Sequence, residues 1–95
     1  MALLWQRPRR KTLVDWPEDV DGRLDVLVRA AAAAGEQTSR SQVLAALVAA
    51  AETRPAVMAE LLHSYRQMPA DALEADKTRD DLPLVRTPGR PRHGG

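Results

Sequence analysis

The sequence predicts a small, mainly α-helical protein with one short strand near the N-terminus. Residues 11–16 alternate in the way a strand does, and three later segments repeat apolar residues at helical spacing. The 95 residues allow one small domain at most, and many of the apolar residues are alanine. Cysteine is absent, which excludes disulfides and thiolate metal sites. We therefore expect a second subunit to complete the core.

The strand is predicted at residues 11–16, where Thr12, Val14 and Trp16 recur at period two and Pro17 ends the pattern. Six residues cannot form a sheet alone, and no second strand is indicated elsewhere in the chain. The most plausible pairing partner is the same strand of another copy.

The first helix is predicted from Pro17 to about Ala34, with Gly35 as its C-terminal stop. Ser39 and Gln42 form the capping-box pattern S-x-x-Q, which predicts the start of a second helix that ends near Thr53. The apolar stripes of these two helices are Val20, Leu24, Leu27, Val28 and Ala31, and then Val43, Leu44, Leu47, Val48 and Ala51.

A third helix is predicted from about Pro55 until Pro69 stops it. Beyond Pro69 large apolar residues are few, so we expect only a weak helical turn around Leu73 before disorder. The stripe of the third helix is Val57, Met58, Leu61, Leu62, Tyr65 and Met68. This stripe is expected to pack on its own dimer, to join dimers, or to receive another protein.

Charge is segregated along the chain although the formal net charge is only +1. Residues 1–11 and 82–95 contain basic residues and no acid, whereas every acid lies between Asp15 and Asp81. Basic ends on an acidic body indicate a polyanionic partner, and the alternative is that the charged ends only keep the chain in solution. The N-terminal cations are Arg7, Arg9, Arg10 and Lys11.

The strand ending in Trp16-Pro17, the amphipathic helix, Gly35 and the run Thr38-Ser39-Arg40-Ser41 together resemble the ribbon-helix-helix family of DNA-binding proteins, the Arc, MetJ and CopG group. The resemblance covers Lys11 to about Thr53. It implies a homodimer in which two strands form an antiparallel ribbon that enters the major groove of double-stranded DNA. Four predicted segments follow: a flexible basic arm (1–10), a ribbon-helix-helix domain (11–53), a third helix (54–69) and a largely disordered tail (70–95).

The resemblance also assigns roles to residues. Lys11, Leu13 and Asp15 would point at the bases, although the family prefers polar or basic donors at all three positions. The dimer core would consist of Val14, Trp16, Val20, Leu24, Leu27, Val43, Leu44 and Leu47.

Phosphate contacts are expected at two places. One is the N-terminus of the second helix, where Thr38, Ser39, Arg40 and Ser41 would supply amides, hydroxyls and a guanidinium. The alternative is that Ser39 only caps its own helix and that Arg40 is solvated. The other place is the basic arm. In the tail, the Gly-Arg-Pro sequence around Arg90 weakly resembles an AT-hook, whose arginine enters a narrow minor groove.

We expect a non-enzymatic, cytoplasmic protein, because the sequence shows no nucleophile with a partner, no metal spacing, no cofactor motif and no apolar run long enough for a membrane. The predicted function is sequence-specific DNA binding as a homodimer, as in a transcriptional repressor. Two alternatives stay open: an antitoxin whose residues 55–85 bind a partner protein, and an accessory protein of plasmid segregation or of a relaxosome.

Overall fold

The computed structural model describes residues 2–85, and these residues form three α-helices and two short 3-10 helices. The bounds are α1 Glu18–Ala33, α2 Arg40–Ala50, α3 Pro55–Arg66, and the 3-10 helices Leu4–Gln6 and Glu74–Thr78. The three helices predicted from apolar spacing are confirmed. α2 ends earlier than predicted, because the backbone of Ala51 is extended (φ −67°, ψ 146°).

The ribbon-helix-helix fold is wrong for this part of the chain, since residues 2–85 contain no β-strand. A strand needs backbone hydrogen bonds to a neighbouring strand, and residues 11–16 have none with any other described segment. The indole Nε1 of Trp16 instead donates to the Asp21 carboxylate at 3.1 Å. Trp16, the last residue of the alternating pattern that predicted a strand, therefore contacts the first turn of α1.

Both ends of α1 follow from its sequence. Pro17 occupies the N-cap, and the acidic residues of the first turn complement the positive end of the helix dipole. At the other end Gly35 adopts φ 88°, a conformation that glycine reaches without strain. The amides of Gly35 and Glu36 donate to the carbonyls of Ala32 (3.0 Å) and Ala31 (2.9 Å), the two hydrogen bonds of a Schellman motif.

The core is small and belongs to α1. Leu24, Val26 and Val28 are the buried hydrophobic residues of the described chain. Leu24 and Val28 belong to the predicted stripe, whereas Val26 lies on the opposite side of the helix. α1 is therefore covered on two sides: α2 contacts it, and so does the 3-10 helix Glu74–Thr78.

The segment that covers the second side is residues 73–85, which we call the C-terminal strap. Arg23 of α1 forms an ion pair with Asp76 at 2.5 Å, and the Arg29 guanidinium donates to the carbonyls of Arg79, Leu82 and Pro83 at 2.9–3.0 Å. The sequence predicts little structure beyond Pro69, yet these residues are held by polar contacts. Three of the strap's large apolar residues, Leu73, Leu82 and Val85, are half-buried, whereas Leu84 is exposed.

α3 differs from the other helices because it contacts none of the other helical elements in residues 2–85. It starts with Pro55 at its first position and ends after Arg66. The helix was predicted to run until Pro69, so Met68, the last residue of the predicted stripe, lies beyond its end. Of the five stripe residues within α3, four are exposed and Val57 is half-buried. Within residues 2–85, no helix is both long enough and apolar enough to span a bilayer.

Candidate nucleic-acid interface

From here on the basic arm denotes residues 7–11, which carry the four N-terminal cations and begin where the 3-10 helix Leu4–Gln6 ends. Arg7 caps this helix with an extended backbone, and its amide donates to the Leu4 carbonyl at 3.0 Å. All four cationic side chains of the arm are exposed. Arg9 makes one polar contact within the chain, from Nη2 to the carbonyl of Trp5 at 3.4 Å. The arm therefore presents four positive charges to solvent next to an exposed indole ring.

The cations of the arm differ from those of the rest of the described chain, residues 12–85, which we call the body, in how many of them form ion pairs. Within residues 2–85 the arm's cations form no ion pair with a carboxylate. Five of the body's cations do, and a sixth, Arg29, is held by backbone carbonyls. The five paired cations are Arg23, Arg40, Arg54, Lys77 and Arg79. Within residues 2–85 the cations without a carboxylate or carbonyl partner are thus concentrated in the arm, and Arg66 is the other cation of this kind in the body.

The residues expected to read bases lie on a segment that has no secondary structure in the described chain. Lys11, Leu13 and Asp15 are all exposed, and the Leu13 side chain is 99% accessible. Val14, expected to point into a dimer core, is also exposed, and Trp16 is half-buried. Because the described chain contains no paired strands, no pattern of backbone hydrogen bonds fixes which of these side chains point inward and which point outward.

The N-terminus of α2 is organised by contacts within the chain. The Ser39 hydroxyl accepts from the Gln42 amide at 3.2 Å, as a helix cap does. The Gln42 side chain does not complete the capping box, because its Oε1 accepts from the Thr38 hydroxyl at 2.7 Å. Ser41 is exposed at the first turn.

Arg40 is held by carboxylates of α1. Its Nη2 lies 2.5 Å from Asp21 Oδ1, its Nη1 contacts Asp25 Oδ1, and Nη1 also donates to the Asp21 carbonyl at 3.3 Å. Burial by itself would lower the pKa of Arg40, but the hydrogen bond and charge of Asp25, followed by those of Asp21, raise it. Two carboxylates beside one guanidinium leave this site without the positive charge that a phosphate clamp needs.

Sequence reasoning missed the network that joins Trp16, Asp21, Arg40 and Asp25. A signal for it was present, because Asp21 and Asp25 are separated by one helical turn and share a face of α1. A signal for the strap was present too: Asp19, Arg23, Val26 and Arg29 follow one another at intervals of four, three and three residues, which places them on one face of α1. Arg90, the residue of the AT-hook-like sequence, lies outside the described residues.

Groups of acidic and histidine residues placed to hold a metal ion are absent from the part of the chain that the structure describes. No protein-family model, curated protein or solved structure matches this chain.

Proposed function

We propose that this chain is a non-enzymatic protein that binds double-stranded DNA through its basic arm. The observation that supports the proposal is the difference in charge pairing within residues 2–85: the four exposed cations of the arm form no ion pair, whereas five of the seven cations of the body do. DNA offers closely spaced phosphates, and cations that neutralise them release bound counterions, which drives association.

The arm suits contact with the phosphate backbone better than base readout. Its four cations fall within five residues, so they can follow a run of phosphates. Phosphate contacts position a protein on DNA but carry no sequence information by themselves. Specificity would then come from other residues, and Leu13 and Asp15 are the candidates that adjoin the arm.

The N-terminus of α2 is a weaker candidate for the same task. Asp21 and Asp25 lie against Arg40 and would repel a phosphate that approached it. The Gln42 amide already donates to the Ser39 hydroxyl, so this amide of the first turn is not free to bind a phosphate. The proposal therefore assigns the main DNA contact to the arm.

The test compares two charge-neutralised variants of the full-length protein for binding to a short duplex. The arm variant replaces Arg7, Arg9, Arg10 and Lys11 with alanine. The control variant removes the same charge from the body by replacing Arg54, Arg66, Lys77 and Arg79. At low salt we expect the arm variant to lose at least about tenfold in affinity, more than the control does. Equal losses, or no binding by the unmodified protein, would contradict the proposal.

A further inference from the structure

We propose that residues 2–11 bind the surface of an anionic lipid bilayer, with an apolar tip in the interface and the cations of the basic arm at the lipid headgroups. The tip is residues 2–5, Ala-Leu-Leu-Trp, and only Gln6 separates it from the arm. The contact is peripheral, because a segment of this kind lies along the boundary between headgroups and acyl chains and does not cross the bilayer. This function goes beyond DNA binding and does not rest on it, although both use the arm.

The tip exposes three large apolar side chains in succession. Leu3 is 49% exposed, Leu4 76% and Trp5 58%. Adjacent exposed apolar residues mark an interaction surface, whereas those scattered singly need no explanation. Contact with DNA phosphates would leave the two leucines without a partner. A bilayer interface suits all three side chains, since tryptophan is enriched at that depth and leucine gains from contact with the hydrocarbon.

The backbone of the tip is suited to an apolar medium. The carbonyls of residues 3, 4 and 5 accept from the Gln6 amide (3.1 Å), the Arg7 amide (3.0 Å) and the Arg9 guanidinium (3.4 Å). The Leu3 amide donates to Gln6 Oε1 at 3.3 Å. A backbone group that leaves water without a hydrogen-bond partner is costly to bury. Hydrocarbon offers no donor, so three carbonyls paired within the chain favour lipid over a protein or nucleic-acid partner, which would supply donors of its own.

The charges next to the tip select an anionic surface. The four cations of the arm lie within five residues, and none of them forms an ion pair within residues 2–85. In a bilayer that contains phosphatidylglycerol, negative headgroups adjoin the hydrocarbon directly, so the tip and the arm find their partners together. Binding of such segments scales with the buried apolar area plus the attraction to anionic lipid. Each cation close to the surface strengthens binding roughly fivefold.

The experiment measures binding of the full-length protein to vesicles by co-sedimentation. At low salt the protein should bind vesicles of mixed phosphatidylcholine and phosphatidylglycerol, and it should not bind vesicles of phosphatidylcholine alone. Leu4→Gln puts a polar side chain in the tip and should weaken this binding at least about tenfold, with duplex affinity unchanged. Leu84→Gln is the control and should bind like the unmodified protein, because Leu84 is 90% exposed and lies outside the tip. The arm variant should lose affinity for vesicles and duplex together.

Quenching of tryptophan emission locates the tip. Lipids brominated on their acyl chains should quench Trp5 when the protein binds mixed vesicles. Trp5→Phe keeps an aromatic ring in the tip and should still bind, but its remaining tryptophan, Trp16, should not be quenched. The inference would be overturned by no binding to mixed vesicles, by equal binding of Leu4→Gln and Leu84→Gln, or by an equal loss of duplex affinity in Leu4→Gln, which would place the tip on nucleic acid. Vesicle binding without duplex binding would overturn only the DNA assignment.

Discussion

α1 and α3 show that burial in this protein does not follow hydrophobicity. α1 is rich in charged residues and contains Gly22, yet it holds the whole buried core and is covered on two sides. α3 carries the larger apolar side chains and touches no other helix in residues 2–85. The difference lies in partners: charged residues of α1 pair with carboxylates, cations and carbonyls of other segments, whereas no other helical element of residues 2–85 contacts α3. Apolar area stabilises a fold only where a second surface covers it.

The largest effect is expected from a charge placed in the core of α1. Val28 is 3% exposed, and Val28→Asp would bury an unpaired carboxylate at a cost of more than about 4 kcal/mol, comparable with the whole stability of a small domain. Thermal unfolding followed by circular dichroism should lose its cooperative transition. The matched change on α3, Leu62→Asp, should keep the helical signal in dilute protein. If both variants behave alike, the contrast between the two helices is wrong.

Arg40→Ala should have the second largest effect on stability. It removes the guanidinium that joins α2 to Asp21 and Asp25, and it leaves these carboxylates facing each other. We expect the free energy of unfolding to fall by about 1–2 kcal/mol, because these side chains are only partly buried. Arg54→Ala breaks an exposed ion pair with Glu52 and should change the free energy of unfolding by less than about 0.5 kcal/mol. Both values come from denaturant titrations, and equal values would mean that Arg40 does not hold the helices together.

Arg29→Ala tests how the strap is held on α1. The substitution removes three hydrogen bonds to backbone carbonyls, and we expect residues 79–85 to lose protection with a cost of about 1–2 kcal/mol. Amide hydrogen exchange should therefore quicken in this segment and stay unchanged in α2. Arg66→Ala on α3 is the control and should leave the strap as protected as before. Unchanged exchange in Arg29→Ala would show that the apolar contacts of the strap suffice.

The smallest effect concerns pH. The hydrogen bond from Arg79 lowers the pKa of Asp81 to about 2, below its ordinary value near 3.8. Because the folded pKa is the lower one, the pair stabilises the strap fully above about pH 4, and this contribution is lost as the pH falls towards 2. Carboxyl resonances of Asp81 followed by NMR should give the low midpoint. Arg79→Ala should return the pKa towards its ordinary value, and an unchanged midpoint would contradict the pairing.

Local patterns predicted the local features well. Apolar spacing identified three helices, Gly35 predicted the end of α1, and Ser39 predicted the start of α2. These features depend on neighbours within a turn or two, which the sequence contains directly. The ribbon was wrong because a strand depends on hydrogen bonds to a distant or separate segment, and a short alternation cannot specify one.

Contacts distant in sequence were the other part that could not be predicted. Val26 is buried because the strap crosses the polar face of α1, and Arg23 contacts a residue 53 positions away. Arg40 was expected at a phosphate, yet it is bound by Asp21 and Asp25. Charges on one helix face can meet solvent, nucleic acid or another segment, and the sequence alone does not select among these. The segregation of basic and acidic residues was visible in the sequence, because it depends only on the order of the residues, whereas the pairing of the individual cations was not.

The salt dependence of duplex binding tests the central claim, that the arm is the DNA contact, most directly. If all four arm cations neutralise phosphates, they contribute a slope of about −3.6 per chain to log affinity against log salt, or roughly a hundredfold loss between about 50 and 200 mM. Replacing Arg7, Arg9, Arg10 and Lys11 with alanine should reduce the slope by about that amount, whereas the body variant should keep it. An unchanged slope in the arm variant, or the same reduction in both variants, would contradict the account.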